Sequence, residues 1–100
     1  MKTKLLLTLL SILILPTTYE VTGYCLNKNL MASGRQVYSG AVACPAFLKL
    51  GTKVIIKGRE YVCQDRMHQR YRNGNYIDIW FENCADAIKW GRRKLEVNLI

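Results

Sequence analysis

Four cysteines set the tightest limit on what this chain can become. Cys25, Cys44, Cys63 and Cys84 fall at spacings of 19, 19 and 21 residues in a sequence of 100. There is no Cys-x-x-Cys, and His68 is the only histidine. Zinc ligands come in closely spaced pairs, so this spread does not suit a metal centre. It suits disulfides. Small exported domains use them to supplement a core too small to hold the fold alone. Four cysteines allow three pairings, and the spacing does not choose among them. The expectation is therefore an oxidised domain with no metal and no cofactor.

The N-terminus agrees with export. Lys2 and Lys4 precede an apolar run from Leu5 to Leu15, broken by Pro16-Thr17-Thr18. A basic start, a short apolar core and a polar exit make a secretory leader. The run spans 11 residues, whereas a membrane span needs about 20. A leader over residues 1–19 and one domain over 20–100 are expected. A retained anchor is the alternative, because no Ala-x-Ala cleavage site is present. Loss of Lys2 and Lys4 takes the net charge from +8 to +6. The length excludes a multidomain enzyme, and 50% hydrophobic residues exclude a disordered chain.

After the leader, short strands dominate. Val21–Cys25, Ala41–Cys44, Lys53–Lys57, Arg59–Gln64, Tyr76–Phe81 and Lys94–Ile100 are the strand candidates. Gly58 separates two of them as a hairpin turn should. Leu95, Val97 and Leu99 alternate with Lys94, Glu96 and Asn98, the period of a half-buried strand. One short helix is expected from Cys84 to Trp90. Asn83 would be its N-cap, Asp86 would complete a capping box, and Gly91 would end it. Six strands and one helix in a chain this short predict a mainly β protein built as a small barrel, with its helix near the C-terminus.

Two aspartates stand out among seven acids. Asp65 ends the run Glu60–Gln64, and Asp78 sits within Tyr76-Ile77-Asp78-Ile79-Trp80. Alternate strand residues share a face, so Tyr76, Asp78 and Trp80 lie together, with Ile77, Ile79 and Phe81 opposite. Aromatic rings can stack on sugar rings. Apolar surroundings raise a carboxyl pKa and keep a proton available for general-acid work. A structural carboxylate bonded to backbone N–H groups would occupy the same pattern.

Five blocks then carry a family resemblance. They are Ala32-Ser33-Gly34 with Gly40–Ala43, Leu50–Ile56, Tyr61–Met67, Tyr76–Phe81 and Ala87–Arg93. In that order they cover Thr22 to Ile100. The chain resembles the bacterial three-aspartate (3D) domain, a relative of rare lipoprotein A-like proteins, expansins and the membrane-bound lytic transglycosylase A family. The resemblance implies a six-stranded double-psi β-barrel and a peptidoglycan substrate. It also implies Asp78 as the catalytic acid with Asp65 as its neighbour. Cys44 stands where the family keeps its first aspartate. Lytic transglycosylation can run on one acid–base group, whereas ordinary glycoside hydrolysis uses two carboxylates.

The remaining residues divide less sharply. Arg66, Arg70 and Arg72 form a basic loop with His68, and no acid lies between Asp65 and Asp78. Arg66 and Arg70, with Tyr76 and Trp80, are candidate contacts to an anionic wall polymer; a solvated loop is the alternative. His68 reads as a loop residue with no nucleophile beside it. Tyr24 and Tyr38 could line a groove or pack. Trp90 reads as core, and Arg92-Arg93 as a contact to the helix C-terminus. Three function classes follow: a wall-glycan-cleaving enzyme centred on Asp78, a non-catalytic expansin-like wall module, and a basic nucleic-acid binder. Export and oxidisable cysteines disfavour the last. The first is expected, as a secreted or cell-envelope monomer that binds neither nucleic acid nor, once the leader is cleaved, the membrane.

Overall fold

The computed structural model describes residues 17–26 and 30–100. Residues 1–16 of the expected leader lie outside the described residues. The architecture is mainly β, as the strand count predicts. Six strands follow in order: β1 (Thr17–Tyr24), β2 (Ala41–Cys44), β3 (Lys53–Ile56), β4 (Arg59–Arg66), β5 (Tyr76–Trp80) and β6 (Arg93–Leu99). A 3-10 turn spans Gln69–Tyr71, and one helix, α1, spans Cys84–Trp90. The strands close into a barrel in the order β1-β5-β2-β4-β3-β6.

Two pairs in this ring are parallel, β1 with β5 and β2 with β4, and the other four are antiparallel. Parallel neighbours cannot be joined by a tight turn. The stretch between β1 and β5 carries the loop 67–75, and helix α1 lies between β5 and β6. By contrast, β3 and β4 form a hairpin through Lys57 and Gly58, both at positive φ. That is the geometry in which a two-residue turn matches the twist of the flanking strands.

Period-2 alternation fills the barrel. Tyr19 and Val21 from β1, Val42 and Cys44 from β2, Val54 and Ile56 from β3, Tyr61 and Cys63 from β4, Ile77 and Ile79 from β5, and Val97 from β6 form one core with Leu48. Phe81, Trp90 and Leu95 pack against it. Ile77 and Ile79 thus lie inside, which puts Tyr76 and Asp78 on the outer face.

The disulfides are Cys44–Cys63 and Cys25–Cys84. The first crosses the core between neighbouring strands. The second ties the end of β1 to the start of α1 over a separation of 59 residues, a loop whose closure contributes about 4 kcal/mol on chain-entropy grounds. Both suit an oxidising setting outside the cytosol. Among the described residues no helix is long and apolar enough to cross a membrane.

Helix α1 has the expected bounds but not the expected start. Asn83 is in place, yet its side chain makes no capping hydrogen bond. Its carbonyl instead accepts the N–H groups of Asp86 (3.1 Å) and Ala87 (3.2 Å). The Cys25–Cys84 bridge fixes the first helical residue, so the end does not depend on a capping box. Gly91 ends the helix, donating its N–H to the Ala87 carbonyl. The helix lies so close to β1 that a Cβ on Gly23 would sit 2.8 Å from the Phe81 ring and 3.1 Å from the Ala87 carbonyl oxygen.

The barrel begins upstream of the expected domain start at residue 20. Thr17, Thr18 and Tyr19 pair with Val97, Glu96 and Leu95 of β6, and Tyr19 is buried in the core. A chain beginning at Glu20 loses these pairs and a core ring. Burial of such a ring is worth about 3 kcal/mol. Its melting temperature should fall about 10 °C or more below that of a chain beginning at Thr17. Equal melting of the two, followed by circular dichroism, would show that Thr17–Tyr19 add nothing to the fold.

Candidate active site

The parallel register of β1 and β5 builds the site row by row. Glu20 lies opposite Tyr76, Thr22 opposite Asp78, and Tyr24 opposite Trp80. On its other side β5 meets β2, where Ala43 is the partner of Asp78. Ala43 is also the partner of Asp65 on β4. One alanine therefore stands between the two aspartates, whose Cα atoms are two strand spacings, about 10 Å, apart.

A register shift between Val42 and Ala43 makes this possible. Val42 pairs with Cys63, but Ala43 pairs with Asp65, leaving Gln64 as the extra residue. Strict alternation from Tyr61 and Cys63 would turn Asp65 inward with them. The bulge re-aims it to the outer face, as bulges beside functional sites do.

The two carboxyl groups are held differently. Asp65 accepts hydrogen bonds from the Ala32 N–H (3.1 Å), the Arg66 N–H (2.9 Å) and the Tyr24 hydroxyl (3.3 Å). Asp78 accepts one from the Thr22 hydroxyl at 2.9 Å. Burial pushes the Asp78 carboxyl up to about 6; the Thr22 bond pulls it back, and the nearby Asp65 charge raises it further. The Tyr24 phenol is also pushed well up, first by burial and then by the charges of Asp65 and Asp78. Environments of this kind keep one carboxyl protonated at mildly acidic pH, where an ordinary carboxylate is ionised.

Asp78 opens into a cavity of about 180 Å³. Glu20, Thr22 and Tyr76 form the strand side, Met67, His68 and Tyr71 the loop side, and Arg92 one end. Arg92 bridges to Glu20 at 3.6 Å. A second hollow of about 460 Å³ shares Glu20 and Tyr76 and runs on past Thr18, Asn75 and Lys94. From the level of Thr18 to that of Thr22 the groove follows β1 for about 13 Å. A Cβ on Gly74 would come within 2.5 Å of the Tyr76 ring, so the bare glycine leaves the ring its place in the groove wall.

No protein-family model matches this chain, and no curated protein matches it in sequence.

Of the residues singled out in the sequence, Asp78 and Tyr76 share the groove, and Asp65 stands beside them. Trp80 does not face it. The indole is 9% exposed and donates to the Leu26 carbonyl at 2.8 Å, so no open ring face remains for a sugar. Arg66 is turned to the segment after β2, donating to the Pro45 and Leu48 carbonyls at 2.8 and 2.6 Å. Arg70 lies exposed against the Tyr71 ring, 6.0 Å from its centre, and does not line the cavity. Tyr38 is tied to Gln64, whose amide donates to its hydroxyl at 2.9 Å. Arg93 does contact the helix end, donating to the Trp90 carbonyl at 2.9 Å, but Arg92 belongs to the groove. Among the described residues no three metal-ligating side chains converge.

Thr22, Glu20, Met67 and Tyr71 are groove residues that sequence reasoning passes over, and His68, read there as a loop residue, lines the groove as well. Glu20, Thr22 and Tyr24 do alternate along one strand. Their partners are 56 residues away, however, and nothing local announces them.

The raised carboxyl has a thermodynamic consequence. Unfolded Asp78 titrates near 3.8 and folded Asp78 at about 6. Between these values the folded chain holds a proton that the unfolded chain has lost. Stability therefore falls as pH rises through this window, by on the order of 3 kcal/mol. Asp78→Asn keeps an acceptor for Thr22 but removes the charge. It should melt higher than wild type at pH 7.5 and much like it at pH 3.5, with a flatter profile between. Parallel melting curves for the two proteins across that range would contradict the assignment.

Proposed function

We propose that this protein cleaves the glycan strands of cell-wall peptidoglycan, with Asp78 serving in turn as acid and base. The observation that carries this reading is a carboxyl raised to about 6, held on a strand at the floor of an open groove on the barrel's outside. The groove is long enough for more than one sugar ring, and Tyr76 offers an aromatic wall. The resemblance to the three-aspartate domain belongs to the same proposal, as does secretion as a monomer.

The chemistry closes on one group. Protonated Asp78 gives its proton to the glycosidic oxygen as the bond from that oxygen to C1 breaks. Positive charge develops on the sugar ring, and the neighbouring Asp65 carboxylate stabilises it electrostatically. Asp78, now ionised, takes the proton from the sugar's own 6-hydroxyl as that oxygen bonds to C1. A 1,6-anhydro sugar leaves, no water is consumed, and Asp78 is protonated again for the next cycle. If water attacks in place of the 6-hydroxyl, the result is hydrolysis with an ordinary reducing end.

Binding without cleavage is the second reading. Its specific support is Asp65, three of whose acceptor sites are taken by Ala32, Arg66 and Tyr24, which leaves it less free than Asp78 to act on a ligand. An expansin-like wall module would use such a groove to hold a strand and leave it intact.

Incubation with purified peptidoglycan, followed by mass analysis of the released fragments, separates these readings. Anhydro-muropeptides are expected from wild type. Asp78→Asn should lower their yield at least about 100-fold, the scale of a positioned acid–base group. The wild-type kcat/KM should fall as pH rises through about 6, because the acid form is the reactive one. Tight binding with no product from wild type would leave the binding module as the correct reading.

A further inference from the structure

His68 is the one imidazole in the chain, and the fold brings it to the wall of the same cavity that Asp78 opens into. Its ring is already committed on one side. His68 is the N-cap of the 3-10 turn Gln69–Tyr71, and its Nδ1 accepts the N–H of Arg70 at 3.3 Å. A neutral imidazole that accepts at Nδ1 carries its proton on Nε2. The loop therefore fixes which nitrogen is the donor, and the ring's remaining polar atom is that N–H.

The segment that carries this ring is braced although its surface is exposed. Met67 is buried, and its N–H donates to the Cys44 carbonyl at 3.1 Å. Its own carbonyl accepts from the Arg72 guanidinium at 2.9 Å. The Arg72 carbonyl in turn accepts the Ala46 N–H at 2.8 Å. Tyr71 packs edge-on against Tyr76 of β5, with ring centres 5.0 Å apart. A donor held by such a frame loses little freedom when it meets a ligand, and that raises what the bond contributes to binding.

We infer that His68 is a substrate-binding residue, donating its Nε2–H from the loop wall of the groove to an acceptor oxygen of the glycan, a hydroxyl or acetamido carbonyl, while Asp78 acts from the strand floor. The inference rests on the glycan reading of the groove. It assigns the loop a role in holding the strand, which its arginines, turned elsewhere, do not fill.

The two amide side chains separate the two ring nitrogens. Asn at 68 keeps an acceptor where Nδ1 lies, so it retains the contact to Arg70, but it lacks the outer donor. Gln reaches further and places an N–H near Nε2. In the Asp78→Asn background, which prevents turnover, solubilised uncrosslinked glycan strands are titrated into labelled protein and followed by amide shifts. His68→Asn should weaken Kd about tenfold, the worth of one such bond, and His68→Gln should stay within about threefold of the parent. Unchanged binding by His68→Asn, or equal loss in both variants, would overturn the donor role while leaving the glycan reading standing. Absence of binding by the Asp78→Asn parent itself would remove the glycan reading and this inference with it.

Discussion

The short strand β2 is the constraint on which the rest depends. It has four residues, all buried, and it joins β4 in parallel on one side and β5 antiparallel on the other. Neither neighbour reaches the other without it. Its inward side chains, Val42 and Cys44, complete the core. Outward, Ala43 separates the two aspartates. A larger residue at 43 would fill the space between the carboxyls, and a turn residue would open the barrel. The same four residues thus close the sheet and set the spacing of the site. The bulge at Gln64 is the second half of this arrangement, since it allows a strand that buries Cys63 to expose Asp65 two residues later.

Such a site costs stability. A carboxyl pushed up to about 6 is held against its preference above that pH, in a chain too short to have much reserve. The fold offsets the cost with covalent links and with polar groups that are nearly all satisfied. The bridge from Cys25 to Cys84 holds α1 against the end of β1. The Trp80 and Trp90 indoles donate to the Leu26 and Val21 carbonyls. Among the described residues no fully buried side-chain nitrogen or oxygen lacks a partner. Asp78 is the exception in degree, with one hydrogen bond from Thr22 and partial exposure to the groove. Unfavourable burial of one carboxyl within a satisfied frame is the trade of stability for activity that the proposed acid–base role would require.

Much of this was legible in the sequence because period 2 is a local signal. Leu95 and Val97 against Lys94 and Glu96, or Ile77 and Ile79 against Tyr76 and Asp78, show their faces without knowledge of the partner strand. Helix α1 and its end at Gly91 are local as well. The features that escaped are the non-local ones. Asp65 reaches the outer face only through a register shift between strands whose paired residues are 21 and then 22 apart, which leaves no mark in either strand alone. Trp80 shares a face with Asp78, but its ring is buried and its indole N–H is taken by the Leu26 carbonyl. Arg66 looks free in a basic loop and is bound to carbonyls of the segment after β2. His68 shows no role in the sequence because Thr22 and Asp78, which line the same cavity, lie on strands far from it along the chain. The capping box at Asn83 failed for a different reason: a covalent bond had already fixed the position that the box would stabilise.

Cys44 is where sequence and structure together say more than either. Under the proposed resemblance to the three-aspartate domain, it would stand in place of that family's first aspartate and leave the site incomplete. In the barrel, the side chain of residue 44 points inward with Val42; it is fully buried and bonded to Cys63. An aspartate there would face a core of Val, Ile and Tyr side chains, where an unpaired carboxylate is costly to hold. A carboxyl at this position of this chain would not reach the groove, since the outward neighbour, Ala43, is what faces it. Cysteine at this position therefore takes nothing from the groove wall. It adds a cross-link between β2 and β4, immediately beside the bulge that turns Asp65 outward. The bridge is thus a device that locks the register on which the placing of Asp65 and Asp78 depends.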